Sequence, residues 1–386
     1  MIHALVFLAV AVGGYVQADG VVKAQDSEDE LDPSTGAPLN QERFLVRRAR
    51  LRSVVERGDL RGSFDLDGST VEGSRVRLVQ AEVAWRWAFG EVAGGLMKIP
   101  FGVEVPSHTE ERFFLEETRT ARALFPGDFD AGVRASVRWR FLVADLAVMN
   151  GAPAGELAQT GGDPNSDKDL VGRAGIDLEL APGVRLAAGL SGLTGTGFHA
   201  GDVATKDTLT WRDANEDGLV QLTELQVIPG RTATPSEGFT RFGVGGDVRV
   251  VATLPRLGEL AVFVEAVIAE DLDRGLLVAD PVELGRSRRE LGWQAGATLE
   301  LGPWAQAGLR VDRYDPDRDA HDQQGAALVP TDASVTTIAG AVGIRRGLDR
   351  LTLEYDHEQN AFGRSLAGVP ETRAADRVTL RAQVSF

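Results

Sequence analysis

The chain has 386 residues, with 41 Lys and Arg against 57 Asp and Glu, a formal charge of −16, and no cysteine. That acidity excludes a nucleic-acid partner, which needs a basic face. The missing cysteine excludes a disulfide framework, a thiolate metal site and a cysteine nucleophile. Past the N-terminal stretch no run reaches the roughly 18 apolar residues of a membrane helix, so membrane residence requires a closed barrel that satisfies its backbone by strand pairing.

Residues 4–11 (ALVFLAVA) match the apolar centre of a secretory signal, and Val16-Gln17-Ala18 matches a cleavage site, but the basic region that should precede them is missing. Gly14 to Asp19 also alternates as a strand does. Two readings stand for this end: a signal, or the remnant of one, over residues 1–11, or a first strand. A third is that the true start lies upstream. Residues 12–386 form one domain.

From there on the period is two. Val79, Ala81, Val83, Trp85 and Trp87 alternate with Gln80, Glu82 and Arg86. Leu142, Ala144, Leu146 and Val148 repeat the pattern, as do Leu291, Trp293, Ala295, Ala297, Leu299 and Leu301. Val378, Leu380, Ala382, Val384 and Phe386 close it. A soluble sandwich alternates too, but these segments run about 10–15 residues where sandwich strands run about 5–6. Their polar positions also carry Arg and Glu, as a wet lumen does.

Tight turns fall at Gly58-Asp59, Phe89-Gly90, Trp139-Arg140, Pro182-Gly183, Pro255 to Gly258, Gly302-Pro303 and Gly347-Leu348. Between them lie long polar stretches near 25–41, 100–130, 151–169, 197–238, 271–287, 315–333 and 361–373, and a brief one at 68–74. Short turns on one side and long loops on the other mark an outer-membrane barrel. Counting Gly14 to Val22 as a strand gives about 16, an even number with both termini on the short-turn, periplasmic side. The expected fold is all-β: an antiparallel transmembrane β-barrel of about 16 strands with short periplasmic turns and long extracellular loops, to which the resemblance described next adds an inward-folded constriction loop. The expected location is the outer membrane of a Gram-negative bacterium, in contact with its lipid.

Phe44-Leu45-Val46-Arg47-Arg48-Ala49-Arg50-Leu51, preceded by Gly14-Tyr15-Val16-Gln17, resembles the start of the phosphate-selective porin O and P family. So do Gly95 to Glu104 (GLMKIPFGVE), Asn150-Gly151, Asp163 to Asp169 with Gly172-Arg173, and Arg313 to Asp317 (RYDPD). The resemblance spans almost the whole chain. It implies a homotrimer of 16-stranded barrels, with the loop after Pro100-Phe101-Gly102 narrowing each pore, and with small inorganic ions or solutes, phosphate among them, as cargo.

Parity assigns Arg48, Arg50 and Arg52 to the lumen, opposite Leu45, Ala49, Leu51 and Val55. Arg134, Arg138 and Arg140 form a second file, and Arg310, Arg377 and Arg381 share that parity. A guanidinium stays charged and grips oxyanions with a planar fork, so a row of them is a chain of weak anion sites. Lys98 stands before the Pro-Phe-Gly turn for the same role. The plainer reading is that these charges pair with Glu82, Asp145, Asp177, Glu179, Asp247 and Glu300 to line an unselective pore. The constriction loop itself carries Glu104, Glu110, Glu111, Glu116 and Glu117 against Arg112, Arg119 and Arg122. Such an acidic loop favours cations or neutral solutes.

Asp213 to Glu224 (DANEDGLVQLTE) matches a calcium loop of the EF-hand type. Asp213, Asn215 and Asp217 supply oxygens, Gly218 the turn, Leu219 a backbone carbonyl and Glu224 a bidentate carboxylate. Calcium is the one cofactor expected, in a structural role. Asp163, Asn165, Asp167 and Asp169 make a weaker match. No G-x-S-x-G, H-E-x-x-H or P-loop motif is present, so the chain is not read as an enzyme. The leading expectation is a porin. Its rivals are a cation-preferring or unselective pore, and a structural or adhesive surface protein with calcium-stiffened loops.

Overall fold

The computed structural model describes residues 8–25, 34–35, 42–71, 73–152, 165–216, 218–324, 327–364 and 370–386. The long alternating segments form sixteen barrel strands, longer than those of soluble sheets because each crosses an apolar band about 25 Å tall at a tilt. They are β1 (Leu8–Gln25), β2 (Glu42–Arg57), β3 (Leu60–Ser69), β4 (Arg75–Trp87), β5 (Gly90–Lys98), β6 (Phe129–Trp139), β7 (Leu142–Met149), β8 (Asp169–Ala181) and β9 (Val184–His199). The wall continues with β12 (Glu237–Leu254), β13 (Gly258–Glu270), β14 (Arg289–Leu301), β15 (Ala305–Asp315), β18 (Val335–Arg346), β19 (Asp349–Arg364) and β20 (Pro370–Ser385). Two loops carry hairpins of their own, β10 (Thr208–Trp211) with β11 (Leu225–Ile228), and β16 (His321–Gln324) with β17 (Ala327–Pro330).

Each barrel strand pairs with its neighbour in the wall, and β1 closes on β20 antiparallel, Tyr15 opposite Ser385 and Asp19 opposite Arg381. Gly14 and Phe386 seal the seam by exchanging both backbone hydrogen bonds, at 2.9 and 3.0 Å. β1 begins at Leu8, so residues 8–11, also read as the end of a signal centre, lie in a strand. All seven tight turns fall within one residue of where the sequence places them, those near Phe89 and Arg140 at 88–89 and 140–141.

The outward file is apolar and exposed, as Val10, Val12 and Val16 on β1 and Val378, Leu380 and Val384 on β20 show. Gln17, Asp19, Arg381 and Gln383 from the same strands face inward and are buried. Buried polar side chains line the lumen, and the principal apolar core is not between sheets. It lies between the inward loop and one wall: Ile99, Phe101, Val105, Leu124 and Phe125 pack on Met97, Met149, Val171, Val267 and Leu272. Gly95, near the end of β5, lets that strand lie close against β4. Its φ is +132°, and a Cβ there would stand 2.1 Å from the Ala81 carbonyl oxygen.

Candidate pore and its constriction

A β-bulge on β2 sets the arginine file. Gln17 pairs with Arg48 but Ala18 pairs with Val46, leaving Arg47 extra. A bulge interrupts period two, so residues on its two sides change face. Arg48 and Arg50 line the outer vestibule below it, and Arg43, Leu45 and Arg47 line the same vestibule above it. Leu45, placed by parity on the lipid side, is therefore a lumen residue. Val79 is the extra residue of a second bulge, on β4, and turns inward for the same reason.

The loop after Phe101 crosses the lumen and is pinned on the far wall by charge. Glu116 accepts from Arg47 at 2.7 Å and from Arg381 at 2.8 Å. Arg381 also grips Asp19 and the Leu115 carbonyl. Arg52 holds Glu110 at 2.8 Å and Asp65 at 2.9 Å. Arg310 donates to the Glu116 carbonyl at 3.1 Å and lies over the Phe114 ring. Arg350 donates to the Glu111 and Arg112 carbonyls. A short helix, α1 (Arg119–Leu124), is capped by Thr118 and tied down where Arg119 meets Glu358 at 2.5 Å. The loop is thus greased to one wall and ion-paired to the other.

Those pairs remove most of the loop's acidity from the pore. Burial by itself would raise the Glu116 carboxyl, but Arg47, Arg381 and Arg48 override it and hold the group well below the usual range. Glu117, salt-bridged to Arg112, is likewise held at about 2 against its burial. Asp128 is pushed up to about 6 by burial and by neighbouring Glu117, although Lys98 and Arg112 oppose the rise. Glu104 accepts from the Thr118 backbone and hydroxyl and from Gln294.

Several of the expected lumen cations line the vestibules but are held by partners of their own. Lys98 is buried, donating to the carbonyls of Val105 and Ser107 at 3.0 and 2.7 Å and to Asp128 at 3.2 Å. Its ammonium folds the loop at the edge of the inner vestibule. Arg50 pairs with Asp67 at 3.3 Å, Arg134 with Glu91 at 3.0 Å and Arg377 with Asp356 at 2.7 Å. Arg140 leaves the strand file. It sits in the β6–β7 turn with φ 56°, over the Trp139 ring at 4.9 Å, at the rim of the inner vestibule with Arg138.

The loop divides the lumen into an outer vestibule of about 760 Å³ and an inner one of about 1370 Å³. Arg48 and Arg122 line the outer one with no carboxylate at ion-pair distance among the described residues. Among the described residues Arg48 donates to the Gln17 side-chain Oε1, at 3.4 Å. The Arg122 Nε is buried without a partner, and burial pushes its guanidinium down. A second loop, at 271–288, also runs inward, although in sequence it is only one of the long polar stretches. Leu272 is fully buried, the Arg274 and Gly275 amides donate to Ala123, and the Arg274 guanidinium donates to the carbonyls of Leu124 and Gly151. Burial lowers that guanidinium to about 9.

Outside the barrel, the Asp213–Glu224 segment joins β10 to β11. Glu224 turns back into it, accepting from the Ala214 amide and Trp211 Nε1, both at 3.1 Å. Asp213 accepts from the Gly218 amide at 2.8 Å. Asp217 lies outside the described residues, as does Asp163 of the weaker match. The described residues contain no cluster of three or more acidic or histidine side chains that could hold a metal.

No family profile and no curated protein sequence matches the chain. Solved structures do match it in fold. The outer-membrane channel DcaP of Acinetobacter baumannii superposes with TM-score 0.59 at 14% identity, over 98% of this chain and 97% of that one. OmpT of Vibrio cholerae in its trimer form gives 0.54 at 10%, over 98% and 99%. The anion-selective porin of Comamonas acidovorans gives 0.53 at 12%, over 98% and 100%. The class is thereby defined: a closed sixteen-stranded barrel of the porin type, whose apolar outer band and polar lumen belong in the outer membrane of a Gram-negative bacterium.

Proposed function

We propose that the chain is a diffusion porin for small hydrophilic solutes, with a preference for anions that extends to phosphate. One observation carries the sign of the preference: Arg48 and Arg122 face the outer vestibule with no carboxylate at ion-pair distance among the described residues, whereas the loop's acids Glu110, Glu116 and Glu117 are each held by arginine. Unpaired guanidiniums in a partly desolvated chamber attract oxyanions and repel cations, and their forks release a hydrated ion readily enough to let it pass. Planar bilayers under a KCl gradient test this. The wild type should show discrete conductance steps and a zero-current potential of the chloride-preferring sign. The Arg48→Gln, Arg122→Gln double variant should move that potential toward potassium. A potassium-preferring wild type overturns the reading, and silent, well-folded protein would favour a structural role.

We further propose that three copies associate, as in the trimer form of OmpT. Cross-linking in native membranes should stop at three, and a product ending at one subunit refutes this. The Asp213–Glu224 loop is proposed as a weak structural calcium site, supported by the Glu224 carboxylate turned toward the start of the loop beside Asp213. Titration calorimetry should give calcium heat for the wild type and none for Asp213→Ala. Equal, featureless traces end that idea.

A further inference from the structure

The outer vestibule is not a uniformly charged chamber. Leu45 borders it with part of its side chain open, and Val21 and Val79, nearly covered, lie along the same lining. Two of these three are inside only because of the bulges at Arg47 and Val79. The floor adds Phe129 and Pro126. Arg48 and Arg122 border the same space. An inorganic ion keeps its water and gains nothing from a carbon wall. A carboxylate or sulfonate that carries an aromatic or short aliphatic group gains twice, by an oxyanion–guanidinium contact and by shedding water from its carbon part. The volume, about 760 Å³, is that of a small-molecule site.

We infer that the outer vestibule is selective among anions for small organic ones bearing an apolar group. Arg48 and Arg122 take the anionic group, and Leu45 and Val79 take the carbon part. This rests on the anion-preferring reading proposed above.

The test is block of the chloride current through the full-length barrel in planar bilayers by benzoate, acetate and inorganic phosphate. Half-block by benzoate should occur at a concentration about tenfold lower than for acetate or phosphate, equivalent to about 1.4 kcal/mol. Leu45→Asn and Val79→Thr should bring benzoate close to acetate, whereas lipid-facing Val83→Thr should keep the full difference. Arg48→Gln should weaken all three anions together. Equal block by benzoate and acetate in the wild type overturns the inference and leaves anion preference standing, as does a benzoate advantage that survives both wall variants. A wild type that prefers potassium overturns the anion reading itself. The wild-type comparison needs no variant, and the gel mobility of unheated samples reports which variants have folded.

Discussion

Glu116→Gln separates the charge of the constriction loop from its shape. The carboxylate accepts from two Arg47 nitrogens, at 2.7 and 2.8 Å, and from Arg381 at 2.8 Å. The amide keeps the volume and removes one negative charge from the pore wall. A unit charge acting on an ion about 8 Å away in water is worth about 0.5 kcal/mol. Chloride gains that amount and potassium loses it, so the permeability ratio should shift by about 1 kcal/mol, or roughly fivefold. Screening at about 0.1 M salt reduces this to about twofold. The zero-current potential under a KCl gradient should therefore move toward chloride. The same variant tests the clamp. Because the folded carboxyl sits far below its ordinary value near 4.5, its contribution is present above that pH and is lost as the pH falls below it. A wild-type conductance change between about pH 7 and 5 belongs to Asp128, raised to about 6, and should survive in Glu116→Gln, whereas the further step under more acid conditions should be missing from that variant. An unchanged potential, or a shift toward potassium, would refute the claim that Glu116 is a counter-charge in the pore.

Two further outcomes follow from the geometry. Arg274→Ala removes the bond to Leu124 that ties the second inward loop to the first and the bond to Gly151 just after β7, each charged hydrogen bond being worth about 1.5–3 kcal/mol. Single-channel conductance should rise and flicker, and quiet traces at the wild-type level would show that the loop does not limit flow. Gly95→Ala should cost several kcal/mol and abolish folding yield, because φ is +132° and the Cβ meets the Ala81 carbonyl. Gly340→Ala, whose Cβ meets nothing within 4 Å, should refold within about 0.5 kcal/mol of wild type. Equal yields for the two glycine variants would refute the steric argument.

The barrel was legible because its information is local. Alternation, tight-turn residues and the asymmetry of loop lengths each sit within a few residues, and they produced sixteen strands and seven turns. The pore was legible only in part. The acidic loop reads as negative along the chain because its counter-charges come from far away: Arg47 is 69 residues from Glu116, and Arg381 is 265. Lys98 reads as a solute site for a different reason: its carbonyl partners, Val105 and Ser107, are near in sequence, but no spacing announces that the loop turns them back onto the ammonium. Arg47 and Arg122 were visible as cations but not as members of one vestibule. The inward course of 271–288 had a faint signal in Leu272 and in Tyr314, whose hydroxyl reaches Asp273 at 2.8 Å, but no spacing announces it.

Parity above the bulges is the remaining error, and it can be turned into a test. In a regular strand a single deletion exchanges the faces of everything on one side of the cut. At a bulge it repairs the pairing instead. Asp65 pairs with Gln80 and Leu66 with Leu78, so removing Val79 leaves Gln80 in the lumen and Leu78 on the lipid side, each opposite its present partner. Removing Val83, from the regular part of the same strand, would turn Arg77 and Glu82 toward lipid, where a charged side chain costs up to about 2–4 kcal/mol. The Val79 deletion should therefore fold to near wild-type yield in gel-mobility and refolding assays, and the Val83 deletion should fail. Because the folded Val79 deletion keeps Arg48 and Arg122 but loses part of the carbon wall, it should also retain chloride preference while losing most of the benzoate advantage. Failure of the Val79 deletion to fold, with Val79→Ala folding normally, would show that the bulge is needed for the barrel's closure and not only for the lining of its outer vestibule.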